Sequence, residues 1–522
     1  MSGKIARLEE ARVAVQQSLD AARSRAERNR LGQYATPGAL AREMLRYAIG
    51  LFAPHEPLRF LDPALGTGSF YAALRTVAPR GRVTSALGFE VDPDYGGAAR
   101  VLWGGEGLVL RVADFTRARP AGRCNLIVCN PPYVRHHHVG AEDKRRLRLA
   151  SERASGMRLS GLAGLYCHFM GLAHPWLAPR GIAGWLIPSE FMDVDYGQAV
   201  KRYLMTRVTL LHVHRFDPED VQFADALVSS AILWFRNAPR PDDHHVRFTF
   251  GGSLLAPRMA REMPACALRL EEHWTRFPRG TVRARGAVPA LSSFFRIQRG
   301  IATGDNRFFV LPEGKAVELG LPAEVLTPIL PGPRHLPDDE VKALDDGTPE
   351  IARRLFVLDV ALAEEEIRER HPGLAAYLAQ GRARGVHARY LCSHRAPWYR
   401  QERRPAPPIV CTYLGRVAGI RDRPFRFILN GSRATVSNVY LAMYPTGRLA
   451  GALARDPSAV RQVWSILCSL APDELRGEGR VYGGGLHKLE PRELARVRVP
   501  ELAEWLSKAR TMPLGGRAIG EP

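Results

Sequence analysis

Eight residues, Leu126-Ile127-Val128-Cys129-Asn130-Pro131-Pro132-Tyr133, restrict what this chain can be more than any other stretch. A β-prone apolar run passes directly into Asn, two prolines and an aromatic. Neither proline has an N–H to give to a sheet ladder, so a strand must stop here. Asn130 and Tyr133 are then held in a stiff loop at the strand's carboxyl end, where open α/β sheets bind their ligands. The chemistry that suits such a loop is methylation of an exocyclic amine. An aromatic amine is a poor nucleophile, because its lone pair is delocalised into the ring. The Asn130 amide oxygen and the Pro131 carbonyl can both accept hydrogen bonds from it, favouring a more pyramidal nitrogen, and Tyr133 can stack on its ring. A strand followed by a Pro-Pro turn is the plainer reading, so the rest of the chain must decide.

Three earlier segments repeat the pattern of a strand with a polar end. Arg59 to Asp62 reads as a short buried strand, followed by Pro63-Ala64-Leu65-Gly66-Thr67-Gly68-Ser69-Phe70, a Gly-rich turn into a helix. Gly66 and Gly68 let backbone pass close to a ligand, and the helix start favours negative groups. Ala86 to Glu90 reads as a second strand ending in an acid that can take both ribose hydroxyls of a nucleoside. A third strand, Gly107 to Val112, leads to Asp114, able to accept from an adenine amine, and to Phe115, able to pack on its ring. Asp62, Glu90, Asp114 and Asn130 thus stand at successive strand ends. Each acid alone is an ordinary cap or turn residue; four in order describe a nucleoside pocket beside an amine-gripping loop.

Upstream, residues 4–30 read as one amphipathic helix with Ile5, Leu8, Ala11, Val15 and Leu19 on a stripe. Gln33-Tyr34-Ala35-Thr36-Pro37 follows, with Thr36 as the expected cap of a helix over 38–50 that turns Leu40, Met44, Leu45 and Ala48 inward. Downstream, a helix is expected near Gly164 to Trp176 and strands at Gly181 to Pro188, Leu210 to Phe216 and Val228 to Phe235, with Phe223 in the last turn. The polar, Pro-rich run 237–243 reads as a domain boundary. The expected division is an N-terminal helix (1–30), a catalytic domain (31–243), a transitional segment (244–290), a recognition domain (291–505) and a flexible tail (506–522).

The second half is basic. The chain has 74 Lys and Arg against 53 Asp and Glu, a formal net charge of +21, which favours a polyanion such as nucleic acid. Eleven arginines fall between Arg382 and Arg426, interleaved with Tyr390, Trp398, Tyr399 and Tyr413. That mixture fits phosphate contact and base-edge reading. Residues 294–310 read as a β-hairpin around Gly304-Asp305-Asn306. The candidate DNA-binding residues are Arg299, Thr303, Asn306, Arg395, Trp398, Tyr399, Arg400, Arg403 and Arg404. The seven cysteines form no Cys-x-x-Cys pair and point to reduced thiols without a metal site. Residues 1–30 lack the apolar core of a signal peptide, and no apolar run is long enough for a bilayer, so a cytoplasmic, non-membrane protein is expected.

Together these residues resemble the amino-methylating DNA methyltransferases, in the gamma arrangement of the Taq-type adenine enzymes. Residues 33–37 look like that family's N-terminal cofactor motif, 62–70 like its Gly-rich motif, and 130–133 like its catalytic loop. Arg299 to Gly304, Tyr482 to Leu486 and Leu489-Glu490-Pro491 look like recurrent stretches of its recognition domains. The resemblance implies a Rossmann-like α/β catalytic domain dependent on S-adenosylmethionine, joined to a C-terminal α+β target-recognition domain. It implies cofactor contacts at Tyr34, Thr36, Pro37, Asp62, Ala64, Gly66, Gly68, Phe70, Glu90, Asp114, Phe115 and Asn130. The implied catalytic residues are Asn130, Pro131, Pro132 and Tyr133, with Phe223 as a second aromatic against a flipped base. The implied activity is methylation of the N6 amine of adenine in double-stranded DNA, within a restriction–modification or related defence system, with a cognate endonuclease as partner. N4-cytosine methylation shares the loop and stays open, and protein glutamine methylation and a non-catalytic DNA-binding subunit rank below it. No Cys follows a Pro, so the nucleophile of 5-methylcytosine enzymes is missing.

Overall fold

The computed structural model describes residues 3–217, 229–269, 271, 273–278, 288–416, 423–482 and 485–509. The chain forms two compact units, Met1–Ala284 with Tyr482–Gly485, and Arg285–Val481 with Leu486–Pro522.

The first unit is organised on a nine-stranded sheet. Its strands are β1 (Leu58–Asp62), β2 (Val83–Glu90), β3 (Leu108–Val112), β4 (Cys124–Cys129), β5 (Leu177–Pro188), β6 (Thr209–Arg215), β7 (Ser230–Arg236), β8 (His245–Gly252) and β9 (Pro257–Pro264), in the order β3-β2-β1-β4-β5-β7-β6-β8-β9. Strands β1 to β5 are parallel, and β7 runs antiparallel between β5 and β6. The apolar composition of β4 follows from burial on both sides. Leu126 and Val128 enter one core layer with Leu58, Phe60 and Leu74, while Ile127 and Cys129 enter the other with Phe89, Trp176 and Trp185. The chain moves outward from β1 through β2 to β3 and then returns to β4. The switch in winding therefore lies between β1 and β4, which pair at Phe60–Leu126 and Leu61–Ile127.

Helices α1 (Gly3–Ala21), α2 (Arg25–Leu31), α3 (Gly38–Gly50), α4 (Ser69–Val77), α5 (Pro93–Trp103), α6 (Ala141–Ser155), α7 (Leu165–Ala173) and α8 (Gly197–Thr206) complete the described helical layers apart from short turns. In α3, Leu40, Met44, Leu45 and Ala48 face the core as expected. The single helix expected over 4–30 is instead two. Ser24 starts α2 with a capping box in which Glu27 answers it, and that local signal outweighs helix continuation. Nor is the segment a separate element: α1 packs on α4 and α5, burying Ile5 and, unexpectedly, Arg12, while Ala11 faces solvent. The boundary expected at 243 is also displaced. Residues 245–264 extend the same sheet as β8, parallel to β6, and β9. The polar run before them is a connection within the sheet.

The second unit is α+β. One sheet has the order Phe295–Arg299, Tyr440–Pro445, Ile409–Thr412, Phe427–Asn430, Glu340–Val341; another has Val310–Pro312, Leu355–Leu358, Leu326–Leu330, Thr435–Val436. The hairpin expected over 294–310 is absent. Phe295–Arg299 pairs with Tyr440–Pro445, and Val310–Pro312 with Leu355–Leu358. Asp305 accepts from the Arg307 N–H and caps a short helix, Asn306–Phe309, where the turn was expected. No helix among the described residues is long and apolar enough to cross a membrane. Phe223, Gly483, Gly484 and the tail from 510 lie outside the described residues.

Candidate active site

A cavity of about 710 Å³ opens in the first unit at the carboxyl ends of β1 to β4. Tyr34, Ala64, Gly66, Glu90, Asp114, Phe115 and Asn130 from the predicted set line it, together with Pro132. The β1–α4 turn supplies one wall. Gly66 has φ 58°, and a Cβ there would meet nothing within 4 Å, so its backbone borders open space. Gly68, with φ 97°, has a different reason to be glycine. A Cβ there would lie 2.5 Å from Trp103 Nε1, whose N–H donates to the Thr67 carbonyl at 2.8 Å. Phe70 is likewise a core residue, packed with Phe60 and Leu74. The sequence reading assigned both to the cofactor; their burial explains them as packing.

Glu90 Oε2 accepts from the Gly66 N–H at 2.8 Å and Oε1 from the Asp92 N–H at 2.9 Å. Each oxygen keeps lone-pair capacity for a further donor. Burial raises the Glu90 carboxyl above its ordinary range, and the two N–H donors oppose that rise. Asp62, fully buried beneath it, accepts from the Ala64 N–H at 3.1 Å. Burial pushes its carboxyl up to about 8; the Ala64 N–H and Cys129 thiol pull the other way, and the Glu90 charge adds to the rise. Asp62 is therefore a support for the turn, while Glu90 faces the cavity.

Asp114 Oδ1 accepts from Thr116 N–H (2.8 Å) and from Thr116 Oγ1 (2.7 Å). Its Oδ2 lies 3.4 Å from Arg117 Nε and 3.9 Å from Arg146 Nη2. Phe115 packs between Phe89 (5.3 Å between ring centroids) and Phe169 (5.5 Å), forming an apolar wall.

Asn130, just past β4, has an amide fixed at both hydrogens. Its Nδ2 donates to the Tyr34 carbonyl at 2.9 Å and to Thr36 Oγ1 at 3.1 Å. Its Oδ1 is buried and has no partner among the described residues. Thr36, buried itself, is thus occupied with Asn130, and α3 begins after Pro37 without a side-chain cap. Pro37 is solvent-exposed. Tyr133 departs from expectation. Its ring is buried, 5.6 Å from the Tyr34 ring, and its hydroxyl donates to the Leu186 carbonyl at 3.1 Å. In this structure it anchors the loop, and its face is not open to a substrate ring. Pro131 is buried beside it.

The sequence reading missed the contribution of the first two helices. Gln16 and Arg30 line the cavity. Thr67 donates to Gln16 Oε1 at 2.7 Å and accepts from the buried Arg12 at 3.3 Å, tying α1 to the glycine turn. Arg23 and Gln33 both reach Asp92 Oδ2, at 2.5 and 3.1 Å. Burial disfavours the Asp92 charge, but these donors outweigh it and hold the carboxyl below its usual range. The S-x-x-E cap was legible; a buried Arg pairing at a distance of tens of residues was not. His138, from the His136–His138 turn, also lines the rim.

In the second unit the candidate DNA contacts divide. Tyr399 is fully buried, its hydroxyl donating to the Leu362 carbonyl at 2.7 Å, and Thr303 is buried with its hydroxyl on Asn306 Oδ1 at 2.6 Å. Neither can touch DNA here. Trp398 is half-buried against Phe308 and Phe309. Arg395 donates to the carbonyls of Ala302 (2.6 Å) and Thr303 (2.8 Å), stapling that loop. Arg299 covers the Tyr413 ring at 4.1 Å and donates to the Asn438 carbonyl. Arg404 grips Glu402 and the Arg299 carbonyl. Arg403 pairs with the buried Asp359 while most of its side chain stays exposed. Asn306 and Arg400 face solvent.

The sheet order and the cavity at its switch point define a class I methyltransferase fold. Two solved structures share it over most of this chain. A DrdV–DNA complex aligns with a TM-score of 0.51 at 14% identity, covering 96% of this chain and 59% of that one. The type IIL restriction–modification enzyme MmeI, in complex with DNA, aligns at 0.50 and 13%, covering 80% and 60%. Residues 111–222 match the family model of the Eco57I restriction-modification methylase, and residues 275–514 that of the C-terminal domain of type II methyltransferase M.Eco57I. The chain is thus similar to Eco57I-type restriction–modification methylases over these two stretches and to type II methyltransferases over most of its length. Among these, it is 29% identical over 481 residues to M.XamI of Xanthomonas campestris pv. amaranthicola, covering 91% of this chain and 86% of that protein. It is 25% identical over 488 residues to M.AccI of Acinetobacter calcoaceticus, covering 90% and 85%.

Proposed function

We propose that the chain is a site-specific DNA methyltransferase that moves a methyl group from S-adenosylmethionine to the N6 amine of adenine in duplex DNA, as a gamma-type enzyme of a type II restriction–modification system. The observation that carries this reading is the Asn130 amide: both its hydrogens are engaged, and its buried Oδ1, beside the cavity, has no partner among the described residues. A buried acceptor without a donor costs about 1–3 kcal/mol, and an amine arriving with its N–H would relieve that cost.

The cavity suits the cofactor. Gly66 gives open backbone, Glu90 can accept from ribose hydroxyls, Asp114 can accept from the adenine amine, and Phe115 and Phe169 offer an apolar face to its ring. When bound, S-adenosylmethionine supplies an electrophilic methyl on a sulfonium. Asn130 Oδ1 and the Pro131 carbonyl would accept hydrogen bonds from the amine and orient its lone pair for in-line attack on the methyl. The S–CH3 bond would break with its electrons returning to sulfur, and the amine's surplus proton would pass to solvent. Positioning and fixed dipoles supply the acceleration, and no covalent nucleophile is needed. The target base must leave the duplex, since its amine is otherwise paired. Arg400, Arg403 and Asn306, the more exposed members of the second unit's candidates, are the proposed DNA contacts, with Arg395 and Arg404 shaping the loops that carry them. A cognate endonuclease is the proposed partner, in the cytoplasm.

Incubation with methyl-labelled S-adenosylmethionine and a duplex library, followed by nucleoside analysis, tests this. N6-methyladenine in one sequence context is expected. N4-methylcytosine would correct the base, and absence of transfer to any duplex would refute the reading.

A further inference from the structure

We propose that Thr36 is a positioning residue for the Asn130 amide, acting with the Tyr34 carbonyl to present Oδ1, and is not a contact for the cofactor; this rests on the role proposed for Asn130. A backbone carbonyl can only accept, so the Asn130 atom 2.9 Å from the Tyr34 oxygen must be the amide nitrogen. The second amide hydrogen goes to Thr36 Oγ1 at 3.1 Å. With both hydrogens placed, the amide plane has one orientation. Turned over, Oδ1 would face the Tyr34 carbonyl, acceptor against acceptor, and the nitrogen would replace the acceptor at the substrate side.

The segment that supplies these partners is itself fastened to the catalytic loop. The Gly32 carbonyl accepts from the Tyr133 N–H at 3.2 Å. Gly32 has φ 67°, and a Cβ there would lie 2.4 Å from the Tyr133 nitrogen, so only glycine permits this approach. The Tyr34 and Tyr133 rings lie 5.6 Å apart. Residues 32–36 therefore act as a splint along 130–133. Tyr34 and Ala35 border the cavity, whereas the buried Thr36 hydroxyl is directed to Asn130.

Thr36→Val keeps the shape and removes the acceptor, and Thr36→Ser keeps the hydroxyl. Thr36→Val is expected to lower kcat about tenfold, the equivalent of one hydrogen bond, with cofactor and DNA affinities unchanged; Thr36→Ser should restore most of it. An activity-independent readout accompanies this. In protein labelled with 15N-asparagine, the Asn130 side-chain NH2 pair, assigned by its loss in Asn130→Asp, should move in Thr36→Val and stay near its place in Thr36→Ser. Circular dichroism checks that each variant is folded, and Thr36→Ala replaces Thr36→Val if it is not. Weakened cofactor binding with kcat intact, equal damage in Val and Ser variants, or an unmoved NH2 pair would each overturn the proposal. Absence of methyl transfer in the wild type would instead count against the proposed function, and the NH2 signal would still decide the role of Thr36.

Discussion

Asn130→Asp is the sharpest perturbation of the proposed site. It keeps an oxygen where Oδ1 stands and changes only what the rest of the side chain can do. The second carboxylate oxygen would sit where Nδ2 now lies, 2.9 Å from the Tyr34 carbonyl. A donated hydrogen bond becomes an acceptor–acceptor contact in a buried place, a loss of ~1–3 kcal/mol for the orphaned carbonyl alone. Desolvating the carboxylate adds to this and drives it to take a proton or turn away. Turning away displaces the acceptor from the amine; a proton on the oxygen facing Tyr34 keeps the acceptor in place, but only in the protonated fraction of the enzyme. The turnover of the variant should therefore fall by ~10- to 100-fold or more. Glu90 and Asp114 are held by the Gly66, Asp92 and Thr116 donors, none of which involves Asn130. Cofactor affinity should accordingly stay within about threefold of wild type, less than half of a tenfold step in free energy. Single-turnover transfer at saturating DNA and cofactor measures the first quantity, and calorimetry the second. Turnover within threefold of wild type would refute the argument that the amide's orientation matters.

Three further outcomes are expected. Glu90→Gln sets an NH2 against one of the two backbone N–H donors now bound by the carboxylate; S-adenosylmethionine should bind more weakly by ~1–3 kcal/mol in calorimetry, and unchanged affinity would remove Glu90 from the cofactor site. Gly68→Ala forces a Cβ to 2.5 Å from Trp103 at a positive φ, which should cost ~2–5 kcal/mol of stability by urea unfolding, from left-handed strain and overpacking together. Asp62 has a folded pKa raised to about 8 from 3.8. Its folded form thus holds a proton that the unfolded chain releases, and stability from this group is present below about pH 4 and lost as pH rises through 8. Asp62→Asn, which cannot ionise, should gain stability relative to wild type across that window; a pH-independent difference in urea midpoints would contradict the raised pKa.

Much of the first unit was legible because strand termini carry local signals. The pair of prolines after Asn130 ends β4 regardless of what surrounds it, and the Gly-x-Gly turn between an apolar strand and Ser69 reads as a tight connection into a helix. The order Asp62, Glu90, Asp114, Asn130 along the chain then maps onto adjacent parallel strands, since short α/β connections leave few other arrangements. In the second unit the same local reading misled. An Arg- and aromatic-rich run looks alike whether it faces DNA or braces a core, and Tyr399 and Arg395 brace it.

What the sequence by itself determined is where strands stop and which residues stand at those stops. Tertiary structure alone decided what each of those residues does next. Gly66 and Gly68 are indistinguishable in a Gly-Thr-Gly string, yet one borders open space and the other accommodates Trp103 from α5. Thr36 reads as a helix cap, and only the return of the chain at Asn130 gives its hydroxyl another partner. Arg12 reads as a solvated charge until Thr67, from the turn after β1, closes over it. In each case the deciding contact joins residues far apart in sequence, so its energy has no signature in any local window; it exists only once the chain has folded.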